Sequence, residues 1–132
     1  MPVNIWSHLC DYATVDRGSR KATIVGEFDN INVKSLPAPH PFMAVATKWA
    51  VQDHEQFSQQ VRIVSPSGKT IAESPAQTVT AHVSPGNREG THTHINYFIA
   101  ATFPEFGAYL VQILINGQVD HAIQLHLTQA GG

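Results

Sequence analysis

The stretch from Phe106 to Thr128, FGAYLVQILINGQVDHAIQLHLT, constrains this chain most. Two apolar runs flank Asn116-Gly117, a dipeptide that tolerates the positive φ angles of a tight hairpin turn. The hydrophobic pattern then chooses between two registers. A two-residue turn at Asn116-Gly117 would pair Ile113 with Asp120 and Val111 with Ala122, setting an apolar face against a polar one. A three-residue loop, Ile115-Asn116-Gly117, with Gly117 left-handed in a G1 bulge, pairs Ile113 with Val119, Val111 with His121 and Tyr109 with Ile123. A slip of one residue turns every side chain over, so the pattern selects the second register. It places Tyr109, Val111, Ile113, Val119, Ile123 and Leu125 on one buried face.

The preceding residues read as further strands. Residues 3–13 put Val3, Ile5 and Leu9 on one face and Trp6, Cys10 and Tyr12 on the other, as a central strand would. After the turn Asp16-Arg17-Gly18-Ser19 comes KATIVGEFDNI, in which Gly26 marks a bulge or a close backbone approach. Leu36 to Pro41 holds three prolines in five residues and reads as a stiff crossover rather than a strand. FMAVATKWAV points Met43, Val45 and Trp49 inward, and FSQQVRIV does the same with Phe57, Val61 and Ile63. After the turn Ser65-Pro66-Ser67-Gly68, Pro75 implies an edge strand or a break between two short ones. HTHINYFIAATF points Ile95, Tyr97, Ile99, Ala101 and Phe103 inward, leaving His92, His94, Asn96 and Phe98 outward.

No segment of helical length carries a 3.6-residue apolar stripe, and turn signals recur about every 8–12 residues. The chain therefore reads as all-β: one domain over residues 1–132, an immunoglobulin-like antiparallel β-sandwich of about eight strands. Charged residues are only 14%, below the usual ~25%, with Thr, Ser, Gln and His in their place, as suits the outer faces of strands. Net charge is −2 and the eight Lys and Arg residues form no run longer than Arg20-Lys21, so no nucleic-acid partner is expected. MPVNIWSHLC lacks the parts of a signal peptide, and no apolar run reaches about 18 residues; the expectation is a cytoplasmic protein with no membrane partner. Cys10 stands alone, which rules out an internal disulfide. The closing Gln129–Gly132 reads as a frayed tail rather than the diglycine end of a ubiquitin-like modifier, since no β-grasp helix is evident.

Three stretches carry a resemblance. They are CDYATVDRGSRKATIVGEFDNI (10–31), VRIVSPSGK (61–69) and FPEFGAYLVQILINGQ (103–118). Their order resembles a family of small bacterial β-sandwich proteins catalogued only as a domain of unknown function. The family pattern has a strand, a D-G-K-like turn, a strand reading roughly "lnilGiFd", then "dpdGk", then "GeY" before the closing hairpin. This chain departs from it with Arg20-Lys21 where a lone Lys is usual, and with Ala108 where an acidic residue is typical. The resemblance implies a β-sandwich and assigns no catalytic residue.

Eight histidines form the one compositional excess. His92 and His94 share a strand face, and a hairpin across residues 84–91 would set His82 opposite His94. Three neutral imidazoles around one point could bind a divalent transition metal, with a coordination position left open. The alternative is three solvent-facing histidines on a strand surface, with any metal binding adventitious. His121 reads as a histidine at the edge of the core, satisfied by a neighbour; burial there would push its pKa down, the basis of a pH switch. Cys10, with His8 two residues away, reads as a buried structural thiol rather than a nucleophile. The chain holds no P-loop, dinucleotide fingerprint, H-E-x-x-H, Cys cluster or G-x-S-x-G elbow. On the other face of the closing hairpin lie Leu110, Gln112 and Leu114, which with Phe98 would form a semi-polar interface patch. The expected function is a non-enzymatic interaction or assembly module without a cofactor, with a protein partner or self-association into a homo-oligomer. A metal-binding protein or metal-dependent enzyme using His82, His92 and His94 is the alternative.

Overall fold

The computed structural model describes residues 1–131; Gly132, in the tail read as frayed, lies outside them. The chain forms β1 (Val3–Val15), β2 (Ala22–Glu27), β3 (Asn30–Val33), β4 (Ala38–Gln52), β5 (Gln56–Val64), β6 (Thr70–Glu73), β7 (Gln77–Thr80), β8 (Glu89–Phe103), β9 (Gly107–Ile115) and β10 (Gln118–Gln129). Two sheets pack face to face. One has the order β2-β1-β4-β8; the other has the order β3-β10-β9-β5-β6, with β7 also on β5. The all-β expectation holds, and no helix among the described residues is long and apolar enough to cross a membrane. Ten strands replace about eight, because the chain breaks at Phe28-Asp29 and again around Pro75. The pairing is not wholly antiparallel either: β3 runs parallel to β10.

The main core lies between the sheets. Leu9, Met43, Val45 and Trp49 face Val61, Ile63, Tyr109, Val111 and Ile113. Within it sits a polar residue that the apolar pattern had passed over. Gln59 has the same strand parity as Phe57 and Val61 and is 0% exposed. Trp49 Nε1 donates to Gln59 Oε1 at 2.7 Å, and Gln59 Nε2 donates to Asn96 Oδ1 at 3.0 Å. An indole N–H taken out of water needs an acceptor, and the Gln59 amide supplies it across the gap between the sheets.

The closing hairpin corrects the expected register: neither the three-residue loop nor the Ile113–Val119, Val111–His121 and Tyr109–Ile123 pairs form. Asn116 and Gly117 both take positive φ (51° and 79°), so the turn has two residues, with Ile115 opposite Gln118. A bulge between Val119 and His121 then shifts the pairing, setting Ile113 against His121, Val111 against Ile123 and Tyr109 against Leu125. The turn chemistry and the apolar match are both kept. Val119, expected inside, is left 48% exposed.

Three further expectations are corrected. In β1 an extra residue between Asn4 and Trp6 leaves Val3 and Ile5 exposed, while Leu9 stays in the core. Ala38 to Pro41 is strand after all, with Ala38 opposite Phe103. β1 pairs with β4 only as far as Ala44, so this part of β4 has one edge without a partner strand. Pro39 and Pro41, two residues apart, turn their missing N–H groups to a single edge.

The third concerns β8, whose inward and outward faces are reversed over most of its length. Asn96 and Phe98 point into the core and Tyr97 and Ile99 point out. Ala100 adopts a left-handed φ of 55°, opposite Pro41, and beyond it Ala101 and Phe103 face inward. The strand changes faces at that residue, so the unbroken parity of apolar residues from Ile95 to Phe103 does not correspond to one face. As for the buried amide bridge, replacing Gln59 by Leu should orphan both the Trp49 indole N–H and the Asn96 carbonyl. We expect a loss of about 2–5 kcal/mol in urea unfolding; a loss below about 0.5 kcal/mol would show that the bridge contributes little.

Candidate functional site

The histidines come first. β7 pairs with β5, Gln56 opposite Thr80, rather than with β8, so the hairpin that would set His82 against His94 does not form. His82 lies beside His54, ring centroids 6.4 Å apart. His92 and His94 remain together at 5.7 Å, but they point into the gap between the sheets rather than to solvent. His92 stands against Phe57, and His94 Nε2 donates to Gln77 Oε1 at 2.7 Å, joining the two sheets. Among the described residues no three His, Cys, Asp or Glu side chains form a group that could hold a metal ion. Burial, then the neighbouring His92, pushes the His94 pKa down to about 4. His92 is also lowered, by burial and then by Arg20, and its Nε2 is buried without a hydrogen-bond partner.

His121 has the satisfied position expected of it, with partners that the sequence did not announce. It lies opposite Ile113 rather than Val111. Its Nδ1 is 2.8 Å from Asp120 Oδ2 and its Nε2 is 2.6 Å from Ser7 Oγ, and the Trp49 ring packs edge-on at 6.0 Å. The bulge makes this possible, because it lets consecutive residues of β10 share a side. Asp120 fixes the tautomer with the proton on Nδ1, so Nε2 accepts from the Ser7 hydroxyl. The order is that of a serine-hydrolase relay. The side-chain donor beside it, Asn4 Nδ2, lies 3.2 Å from Ser7 Oγ itself and also points at the carbonyls of Trp6 and Lys48, not at an oxyanion position. The arrangement therefore acts as a polar strut from β1 of one sheet to β10 of the other.

The expected interface residues do not come together. Phe98 is buried in the main core and Leu114 is also buried. Gln112 accepts from Arg62 Nε at 3.1 Å, and Leu110 alone is substantially exposed. The exposed aromatic surface lies instead on the outer face of the β2-β1-β4-β8 sheet. Phe42 stacks on Tyr97 at 5.2 Å, Tyr12 follows at 6.4 Å, and Ile99, opposite Phe42, is 77% exposed. Beside them is a second, smaller core of Cys10, Ala13, Ala44 and Ala46, with Trp6, Ile24 and Ile95 packed on it. Cys10 is wholly buried, its Sγ 3.6 Å from Ala44 O, and burial raises its thiol pKa, as befits a structural residue.

Compared with known proteins, residues 5–128 match the model of a family described only as a family of unknown function (DUF6941). No curated protein matches the chain.

The His94 shift carries a pH consequence. An unfolded imidazole titrates near ~6.5, so between there and about 4 the unfolded chain binds more protons than the folded one. His94 therefore leaves stability intact above that window and removes it as pH falls through the window. We expect the thermal midpoint to drop on acidification and the His94→Gln variant, which keeps a donor to Gln77, to drop less. NMR titration checks the cause directly: a His94 ring that protonates at an ordinary midpoint would contradict it.

Proposed function

The chain belongs to DUF6941, a family of unknown function, and we propose that it is a non-enzymatic β-sandwich assembly module that pairs with a second copy of itself along β8. The observation that carries this reading is the character of that strand. It has fifteen residues, pairs with β4 on one side, and among the described residues has no strand on the other. Long free edges usually carry charges that discourage pairing. Here the one charged residue is Glu89, at the start.

The side chains next to the edge support a like partner. Tyr97 and Ile99 stand exposed on its outer face, with Phe42 beside them. A two-fold axis near the middle of the straight part, Glu89–Ile99, brings the same patch from each copy to one continuous surface. It also sets each Glu89 opposite an uncharged residue, so no like charges meet across the new ladder. The left-handed Ala100 ends the straight segment and fixes its length.

Light scattering coupled to size-exclusion chromatography tests this. The protein should run as a dimer that dissociates on dilution. Ile99→Lys, on an exposed side chain that the fold does not need, should weaken association by at least about tenfold, equivalent to about 1.4 kcal/mol. A protein that stays monomeric at every concentration, or a variant that dimerises like the parent, would overturn the reading.

A further inference from the structure

We propose that the cleft beneath the β1–β2 turn binds a small phosphate ester bearing a planar ring, of the nucleoside phosphate class. The cleft exists because β1 parts company with β4. Up to Cys10 the strand pairs with β4; from Cys10 to Val15 it pairs with β2. The departure is marked by Gly26, at a left-handed φ of 68°, where a Cβ would run into the Asp11 carboxylate. The β1–β2 arm then lies back over the outer face of its own sheet. Ala13 and Ile24 pack with Ala44, Ala46 and Ile95, and the Tyr97 hydroxyl donates to the Ala13 carbonyl. This carries the turn from Asp16 to Lys21 over Trp6, Lys48 and Thr91–Thr93, which together border an open cleft of about 760 Å³. That volume suits a mononucleotide-sized ligand.

Its lining is cationic. Arg17, Arg20, Lys21 and Lys48 all border it, four of the eight Lys and Arg residues of a chain whose net charge is −2. Three of them lie in one turn, and the fold brings Lys48 to it. Among the described residues the ion pairs involve the N-terminus and histidines, and leave all four cations unpaired. The one acid in the lining, Asp16, is occupied within the turn: Ser19 N and Oγ donate to its Oδ2 at 2.7 and 2.8 Å. Crowding four like charges is unfavourable in the empty protein, and a bound anion relieves it. Guanidinium groups also match phosphate oxygens in pairs.

The remaining lining residues suit the rest of such a ligand. The half-buried Trp6 ring offers a stacking surface, and Thr91 and Thr93 offer hydroxyls. Arg20 is held in a left-handed conformation (φ 59°) with its N–H bonded to Asp16 O at 2.8 Å, and it also borders the neighbouring cleft by His82 and Ser84. A side chain placed there by the turn, rather than by a carboxylate partner, is available to an anion.

Calorimetry and the NMR signal of the Trp6 indole N–H test this with four probes: ATP, AMP, inorganic pyrophosphate and adenosine. We expect ATP and AMP to bind and to move the Trp6 signal, pyrophosphate to bind at least tenfold more weakly than ATP, and adenosine not to bind. Arg17→Glu with Lys21→Glu, both in the turn, should abolish binding. Ile99→Lys should leave it unchanged, which separates this site from self-association. Pyrophosphate binding as tightly as ATP would overturn the ring-stacking part. Absence of binding by all four probes, or equal binding by the charge-reversed variant, would overturn the site. Binding of a single-stranded oligonucleotide without any mononucleotide would overturn it in favour of a polymer surface.

Discussion

The Trp49–Gln59–Asn96 bridge is the constraint on which the sandwich depends. The largest fully buried side chain carries an N–H, and burying it without an acceptor costs about 1–3 kcal/mol. The acceptor comes from the opposite sheet, and its own amide is satisfied by a residue back on the first. The bridge therefore specifies which strands face each other and at what register. Purely apolar contacts tolerate sliding, whereas a hydrogen-bonded chain of three groups does not. It also decides the parity of β8: with Asn96 held inward, Phe98 must be inward too, and Tyr97 and Ile99 must face out.

The cationic cleft, the patch beside β8 and the link from His121 to Ser7 each arise where a strand departs from regular alternation. The kink at Gly26 lets the β1–β2 arm lie on the sheet and roofs the cationic cleft. The left-handed Ala100 switches the faces of β8 and leaves an apolar patch beside a free edge. The bulge at Val119 sets Asp120 and His121 side by side and so completes the link to Ser7. In each case a local conformational irregularity redirects one or two side chains, and a chemically distinct surface or contact results.

The histidine excess resolves in a related way. His92 and His94 occupy inward positions at the open side of the sandwich, where they fill space and keep neutral rings, while His121 is a strut. A histidine on a strand is amphipathic, and its role follows from the face on which the strand places it.

The sequence by itself determined the all-β class, most of the strand segments, the place of the closing turn at Asn116-Gly117, though not its length, and the break around Pro75. These rest on period-two patterning and on residues whose backbone preferences are local. Gly26 was legible as a bulge or a close approach, whereas Gln59, a polar residue on the inward parity between Phe57 and Val61, carries no signal in an apolar pattern. The candidate sites were not legible. His82 separates from His92 and His94 because strand pairing, which no local pattern encodes, places β7 on β5. Phe98 and Ile99 exchange faces because one left-handed alanine carries no sequence signal. Arg17, Arg20 and Lys21 meet Lys48 and Trp6 only because an arm folds back over its own sheet. Alternation is a property of neighbours in sequence, whereas a site is made by residues brought together across strands, and only the tertiary structure decides which ones meet.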